Sequence, residues 1–248
     1  MDVLVVGAGA IGRWFAERIP WPVSFADIDE ATANEAAEML GSRGSTASLD
    51  SDSTYDIVTI AVPMRVARES ITTHAPRADT AVIDLTGSMQ TPLEAMEKSA
   101  PTKEQLSLHP LFAPEHAPGR IAYSIGSAYS IGSAGRTVRE VLDFLESSGN
   151  ELVEIDPEVH DEAMCTIQGR AHAAILAFGL AADSVPAELS TPVFEQLRTL
   201  LDRVTGGSPG VYADIQEQFG GAKDISEAAS RLEEADRETF ETLYHDAR

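Results

Sequence analysis

Over roughly the first 155 positions, short apolar runs alternate with stretches of helical spacing. Residues 2–7 hold a compact apolar run that predicts a buried strand, and Gly7-Ala8-Gly9-Ala10-Ile11-Gly12 follows at once. A helix with Trp14, Phe15 and Ile19 on its apolar side comes next and ends at Pro20. Val23–Asp27 predicts a second strand, residues 30–40 an alanine-rich helix, Asp56–Val62 a buried strand closed by Pro63, and Thr80–Leu85 another strand. Thr137–Ser148 has the spacing of an amphipathic helix, and Glu151–Ile155 reads as a last strand. Strands alternating with helices imply an α/β fold: a doubly wound, Rossmann-type parallel sheet with helices on both faces. Within Ala122–Ala134 a six-residue unit, Tyr-Ser-Ile-Gly-Ser-Ala, occurs twice. One repetition is too little for a solenoid and reads as a strand entering a Gly/Ser loop, or as a local duplication.

After residue 155 the pattern becomes helical throughout. Asp156 suits an N-cap and Pro157 the first helical position, and that helix is expected to run to about Ala182. Thr191-Pro192 starts a second helix in the same way, and Gly206-Gly207 ends it. From Asp224 to Tyr244, Ile225, Ala228, Leu232, Ala235, Phe240 and Leu243 recur at helical spacing. The expected organisation is a dinucleotide-binding domain over 1–155 and a smaller, all-helical domain over 156–248. The rear part is small and apolar, so it is expected to pack on the front domain or on a second subunit.

Composition narrows the partners. Forty acidic residues face eighteen basic ones across 248 positions, a formal charge of −22. Nucleic acid and anionic membrane, both polyanions, are poor partners for such a surface. No apolar run approaches the ~18 residues of a membrane span, and the N-terminus reads as a strand and not as a signal peptide. Lysine occurs only at Lys98, Lys103 and Lys223, and the acidic residues are spread along the chain, which suggests a halophilic protein working in a salt-rich cytoplasm. Cys165 is the single cysteine, which rules out an intrachain disulfide and a four-cysteine zinc site; it fits a reducing interior and reads as a small buried apolar residue.

The glycine motif gains weight from its context: a strand before it, a helix after it, and Asp27 at the end of the next strand. In such a loop Gly7 permits the tight turn, Gly9 lets backbone approach a pyrophosphate, and Gly12 lets helix and strand pack closely. The amides of Ala10 and Ile11, at the helix N-terminus, face the phosphates. Asp27, twenty residues past Gly7, can accept both ribose hydroxyls and would repel a 2′-phosphate, so NAD is the expected cofactor. Pro63, closing the third predicted strand, joins Gly7, Gly9, Ala10, Ile11, Gly12 and Asp27 as a cofactor-site residue. Arg13 reads either as a pyrophosphate contact or as a solvated helix residue.

Three further segments stand in order behind this motif: Val82-Ile83-Asp84-Leu85-Thr86-Gly87-Ser88, His109-Pro110-Leu111-Phe112-Ala113-Pro114, and His160-Asp161 followed by Gln168-Gly169 and His172. Together with the glycine motif they resemble the prephenate dehydrogenase family. The resemblance implies oxidative decarboxylation: hydride leaves C4 of a cyclohexadienol, carbon dioxide leaves C1, and the ring becomes aromatic. It puts His109 at the C4 hydroxyl as proton acceptor, where a neutral imidazole with an ordinary pKa of ~6.5 is suitable, in a loop steadied by Pro110. Ser88 becomes a second hydroxyl partner, although a serine capping the next turn would look the same. Where the family usually shows lysine two residues after that serine, this chain has Met89 and Gln90.

On a regular helix Asp161, Gln168 and His172 share one face, which either lines a cleft or makes an interdomain contact. The resemblance makes Gln168 and His172 substrate-side residues and Arg203 the match for a carboxylate-binding arginine, with Arg198 as the fallback. It also implies a small-molecule substrate, prephenate or arogenate, and a homodimer formed through the helical domain. The competing readings are another dehydrogenase or reductase of similar build, such as a pyrroline-carboxylate reductase, and a non-catalytic NAD-sensing protein. A metal-dependent phosphohydrolase built on His160-Asp161 would leave the glycine motif unexplained, and no metal site is expected.

Overall fold

The computed structural model describes residues 1–126 and 134–247, in two compact units, Met1–Asp161 and Glu162–Arg248. The first unit runs β1 (Val3–Val6), α1 (Ala10–Arg18), β2 (Val23–Ala26), α2 (Glu30–Met39), β3 (Gly44–Thr46), β4 (Tyr55–Ile60), α3 (Met64–His74), β5 (Ala78–Asp84), α4 (Gln90–Ser99), β6 (Glu104–Pro110), β7 (Arg120–Ile125), α5 (Arg136–Ser147) and β8 (Glu151–Glu154). The strands form one sheet in the order β3-β2-β1-β4-β5-β6-β7-β8. Its pairings are parallel except β6 with β7, which is antiparallel. The expected wholly parallel sheet is therefore a mostly parallel one. A short connection through Pro114–His116 replaces a crossover helix between β6 and β7, and without a crossover the chain can only return antiparallel.

Both faces of the sheet are covered, which is why β1 is apolar throughout. Val3 and Val5 enter one core with Trp14, Phe15, Ala33 and Val138, while Leu4 and Val6 enter the other with Ile71, Ala95 and Met96. Each of the valines, Leu4, Phe15, Ile71 and Met96, fully buried, contributes about 1.5–3 kcal/mol. The chain reverses its winding between β1 and β4, which lie side by side. At such a switch point, the carboxyl ends of the strands leave a crevice where doubly wound sheets bind ligands.

β6 was not predicted. Leu106 and Leu108 point into the first core, and Gln105, Ser107 and His109 on the alternate face are buried as well. His109 thus belongs to a strand end and not to a loop. β5 stops at Asp84, opposite Ser107, so His109 and Pro110 overhang it, and the missing Pro110 N–H leaves no gap on that side. The other edge of the overhang is held by β7, with His109 opposite Ala122. Of the tandem repeat, Tyr123–Ile125 completes β7, while residues 127–133 lie outside the described residues.

The helical run begins with α6 (Pro157–Met164), which carries the chain from the first unit into the second. The single long helix expected to Ala182 continues as a π-helical segment, Cys165–Arg170, and then α7 (Ala171–Ala181). After these come α8 (Pro192–Thr205), α9 (Pro209–Phe219), α10 (Ala222–Glu234) and α11 (Arg237–Asp246). The helical pattern from Asp224 to Tyr244 is two helices, because Asp236 caps α11 by accepting the Thr239 N–H at 2.9 Å. Gly169 is buried at a close backbone crossing, where a Cβ would lie 2.5 Å from Gly220 O. Its carbonyl accepts from Gln216 Nε2 at 2.8 Å. Among the described residues no helix is long and apolar enough to cross a membrane.

Candidate active site

The glycine loop leaves β1 and enters α1 directly. Gly7 has φ +98°, a conformation that suits glycine, and a Cβ there would lie 2.3 Å from Ala61 O on the neighbouring strand's exit. A Cβ at Gly12 would lie 2.2 Å from Gly7 O, so helix and turn touch backbone to backbone. At Gly9 a Cβ would meet nothing within 4 Å. The first intrahelical bond is Arg13 N–H to Gly9 O, so the amides of residues 10–12 precede the ladder at the positive end of the helix. Asp27 Oδ2 accepts the Ala8 N–H at 2.7 Å and Oδ1 the Asp29 N–H at 3.0 Å, which clamps the acidic residue to the loop. Asp29 caps α2 through Ala31 N–H and Thr32 Oγ1. These residues fit a dinucleotide: an open backbone approach, helix-end amides for a pyrophosphate, and a carboxylate at the end of β2.

Arg13 is not a freely solvated helix residue. Its Nε donates to Ala8 O at 2.8 Å, and one terminal nitrogen reaches Thr32 O and Glu35 Oε2 at 3.1 and 3.2 Å. It braces the loop against α2. Pro63 follows β4 and immediately precedes α3.

The β5 exit brings the second group of residues together. Gly87 has φ +97°, and a Cβ on it would come within 3.5 Å of His109 Nε2 and 3.8 Å of Met64 Sδ. Ser88 is buried beside it. Ser88 does not cap α4; the cap position is Met89, with no side-chain bond of its own. The amides of Met89 and Gln90 instead donate to Asp161 Oδ1 and Oδ2 at 3.0 and 3.1 Å. Asp161 Oδ1 also lies 2.8 Å from His160 Nδ1, and His160 Nε2 lies 2.9 Å from His109 Nδ1. His160 is 1% exposed and His109 7%. Burial, and then the neighbouring His160 ring, hold the His109 imidazole down at about 3, with Asp161 pulling the other way. His109 is therefore neutral at ordinary pH.

Beneath this group lies Asp84, fully buried at the end of β5. It accepts from Ser107 Oγ at 2.8 Å and from the Thr86 N–H at 3.1 Å. Burial raises its carboxyl to about 7 against the lowering effect of those bonds. Asp84 has no role in the motif reading, although a carboxylate inside an apolar strand is itself a signal.

The remaining candidates belong to the second unit. Gln168 lies in the π-helical segment and His172 in the first turn of α7. Because π winding bonds residue i to i+5, the spacing that set Asp161, Gln168 and His172 on one face does not carry through residues 165–170. The His172 ring meets Tyr212 edge to face, with centroids 5.0 Å apart, and its Nδ1 is buried without a hydrogen-bond partner. Arg203 is exposed in the last turn of α8, and Arg198 is exposed on the same helix. Cys165, expected to be buried, is partly exposed.

Comparison with known proteins bears out the resemblance drawn from the motifs. Residues 18–124 match the family model described as prephenate dehydrogenase, nucleotide-binding domain. A 4-amino-4-deoxyprephenate dehydrogenase from Streptomyces pristinaespiralis is 28% identical over 269 aligned residues, covering 99% of this chain and 89% of that one. Among solved structures, prephenate dehydrogenase from Aquifex aeolicus superposes with a TM-score of 0.70 at 17% identity, covering 99% of this chain and 96% of that one. Prephenate dehydrogenase from A. aeolicus in complex with hydroxyphenyl propionate and NAD+ gives 0.67 at 18% identity, covering 100% and 96%. At these identities the two structures speak for the fold.

Proposed function

We propose that this chain, which belongs with the prephenate dehydrogenases by sequence and fold, catalyses the NAD-dependent oxidative decarboxylation of prephenate to 4-hydroxyphenylpyruvate. The observation that carries the proposal is His109: a buried, neutral imidazole at the carboxyl end of the sheet, with Nδ1 engaged by His160 and Nε2 toward Gly87. Gly7, Gly9, Ala10, Ile11, Gly12 and Pro63 hold the cofactor, and Asp27 selects NAD over NADP by repelling a 2′-phosphate. When bound, NAD supplies the hydride acceptor. His109 takes the hydroxyl proton, which strengthens electron donation from oxygen to C4 as hydride departs, and Ser88 orients the same hydroxyl. On the second unit Arg203 pairs with a substrate carboxylate, and Gln168 and His172 line its side. Aromatisation supplies much of the driving force, so positioning and electrostatics are the protein's main tasks.

The test is one assay in concentrated potassium chloride, with NAD or NADP, and prephenate or arogenate, followed by NADH absorbance. Turnover of prephenate with NAD is expected. NAD binding without substrate-dependent NADH formation would leave a sensing protein instead.

A second reading is favoured by the Streptomyces relative, whose name places an amine where prephenate has its C4 hydroxyl. A neutral imidazole can accept a proton from either group, so the amino compound belongs in the same assay. The helical unit is proposed to form a homodimer. α7 is apolar nearly throughout, yet Ala173 is its one buried residue, and Leu180 is 90% exposed. Sedimentation equilibrium would show the monomer mass if that surface stays uncovered.

A further inference from the structure

With His160 taken as neutral at rest, its contacts with Asp161 and His109 assign the hydrogens along the series. Asp161 receives the Met89 and Gln90 amides and faces His160 Nδ1, and a carboxylate only accepts, so His160 Nδ1 carries a hydrogen. In the neutral ring His160 Nε2 is then an acceptor. The 2.9 Å contact requires His109 Nδ1 to donate to it. His109 Nε2, the atom toward Gly87, therefore holds a lone pair. Each ring's tautomer is set by the partner on its far side, and the series ends on backbone amides at the start of α4.

We propose that His109 and His160 act as a two-imidazole relay in which the proton drawn from the substrate comes to rest on His160, against Asp161. This rests on the reading of His109 as the base. Hydride leaves C4 with its electron pair for the nicotinamide, and the C1–carboxylate pair enters the ring as carbon dioxide departs. The O–H bond breaks toward His109 Nε2, its electron pair staying on oxygen, and the Nδ1 hydrogen of His109 passes to His160 Nε2. His109 ends neutral in its other tautomer, His160 is an imidazolium, and the product is a phenolate. The same path run backwards returns the proton to the phenolate, so no proton is released overall.

The physical reason is the difference between the two rings' surroundings. Burial penalises a positive charge on His109, whose Nδ1 meets the His160 ring. His160 is buried as deeply, but its Nδ1 lies 2.8 Å from Asp161. Moving the charge one ring inward pairs it. His160 and Asp161 touch neither substrate nor cofactor in this scheme, and both are positioning residues.

Long-range ¹H–¹⁵N spectra of the ligand-free protein test the geometry without turnover. Both rings should appear as Nδ1–H tautomers; an Nε2–H tautomer at His109 overturns the relay. With prephenate and NAD, the rate measured across H₂O/D₂O mixtures should curve, as it does when two protons move together. In His160→Gln, where a carbonyl can accept from His109 Nδ1 but cannot take its proton, the dependence should become linear. There kcat should fall about 10²-fold, with KM and NAD affinity within about twofold. Wild-type kcat in His160→Gln, or a linear dependence in the wild type, sinks the relay while leaving His109 as base. Should His160→Gln fold poorly, the wild-type spectrum and isotope curve still decide. Absence of turnover with every substrate tested overturns the functional reading, and the relay's chemistry with it.

Discussion

Replacing Asp84 with asparagine should flatten the pH dependence of folding stability between pH 4 and 7. The carboxyl is fully buried, and its folded-state value is about 7 against an ordinary 3.8. Within that window the folded protein holds a proton on Asp84 that the unfolded chain has released. Stability therefore falls as pH rises through the window, and the loss is complete above pH 7. A difference of about 3 pKa units corresponds to about 4 kcal/mol. Asparagine is close in shape and keeps an oxygen for the Thr86 N–H, while its amide can donate to Ser107 Oγ, now acting as acceptor. The assay is urea unfolding of wild type and Asp84→Asn at half-unit steps from pH 4.5 to 8 in constant KCl. The other titrating acids cancel in the difference between the two proteins. The variant should gain on the wild type by several kcal/mol between the ends of that range. Parallel curves would mean that Asp84 is ionised throughout and that the bonds from Ser107 and Thr86 outweigh its burial.

His109→Ala should lower kcat by about 10²–10⁴, and because the wild-type imidazole stays neutral far below pH 6.5, wild-type kcat should show no acid limb from His109 between pH 5 and 8. Gly9→Ala should leave stability within about 0.5 kcal/mol and weaken NAD binding, whereas Gly12→Ala, whose Cβ meets Gly7 O at 2.2 Å, should cost about 1–3 kcal/mol by thermal melting. Arg203→Ala should raise KM for the substrate and spare NAD affinity; weaker NAD binding in calorimetry would move the carboxylate site elsewhere. With a net charge of −22, the urea midpoint should rise as KCl goes from about 0.1 to 1 M and the screening length falls from ~10 to ~3 Å. An unchanged midpoint would remove the halophilic reading.

The elements legible in the sequence were those whose cause is local. β1, its glycine turn and α1 are specified within Val3–Arg18, since an apolar run, a left-handed glycine and a helix start need no distant partner. Asp156-Pro157 and Thr191-Pro192 marked helix starts for the same reason. The alternation in Gln-Leu-Ser-Leu-His was itself a strand signal for β6; what only the fold supplies is that Gln105, Ser107 and His109, on its polar face, are buried as well. The π-helical segment Cys165–Arg170 left no legible mark because it runs into α7, which is apolar nearly throughout and has no stripe for an extra residue per turn to shift.

His109 itself was legible as a motif, but its chemistry was not. The ring that orients it lies 51 residues away, and the carboxylate that orients that ring bonds an amide 72 residues away. The sequence by itself determined which residue types stand at the strand ends. The tertiary structure alone decided which of them touch, how deeply they are buried, and so which carry a proton, because desolvation and hydrogen bonding are set by neighbours in space and not by neighbours along the chain.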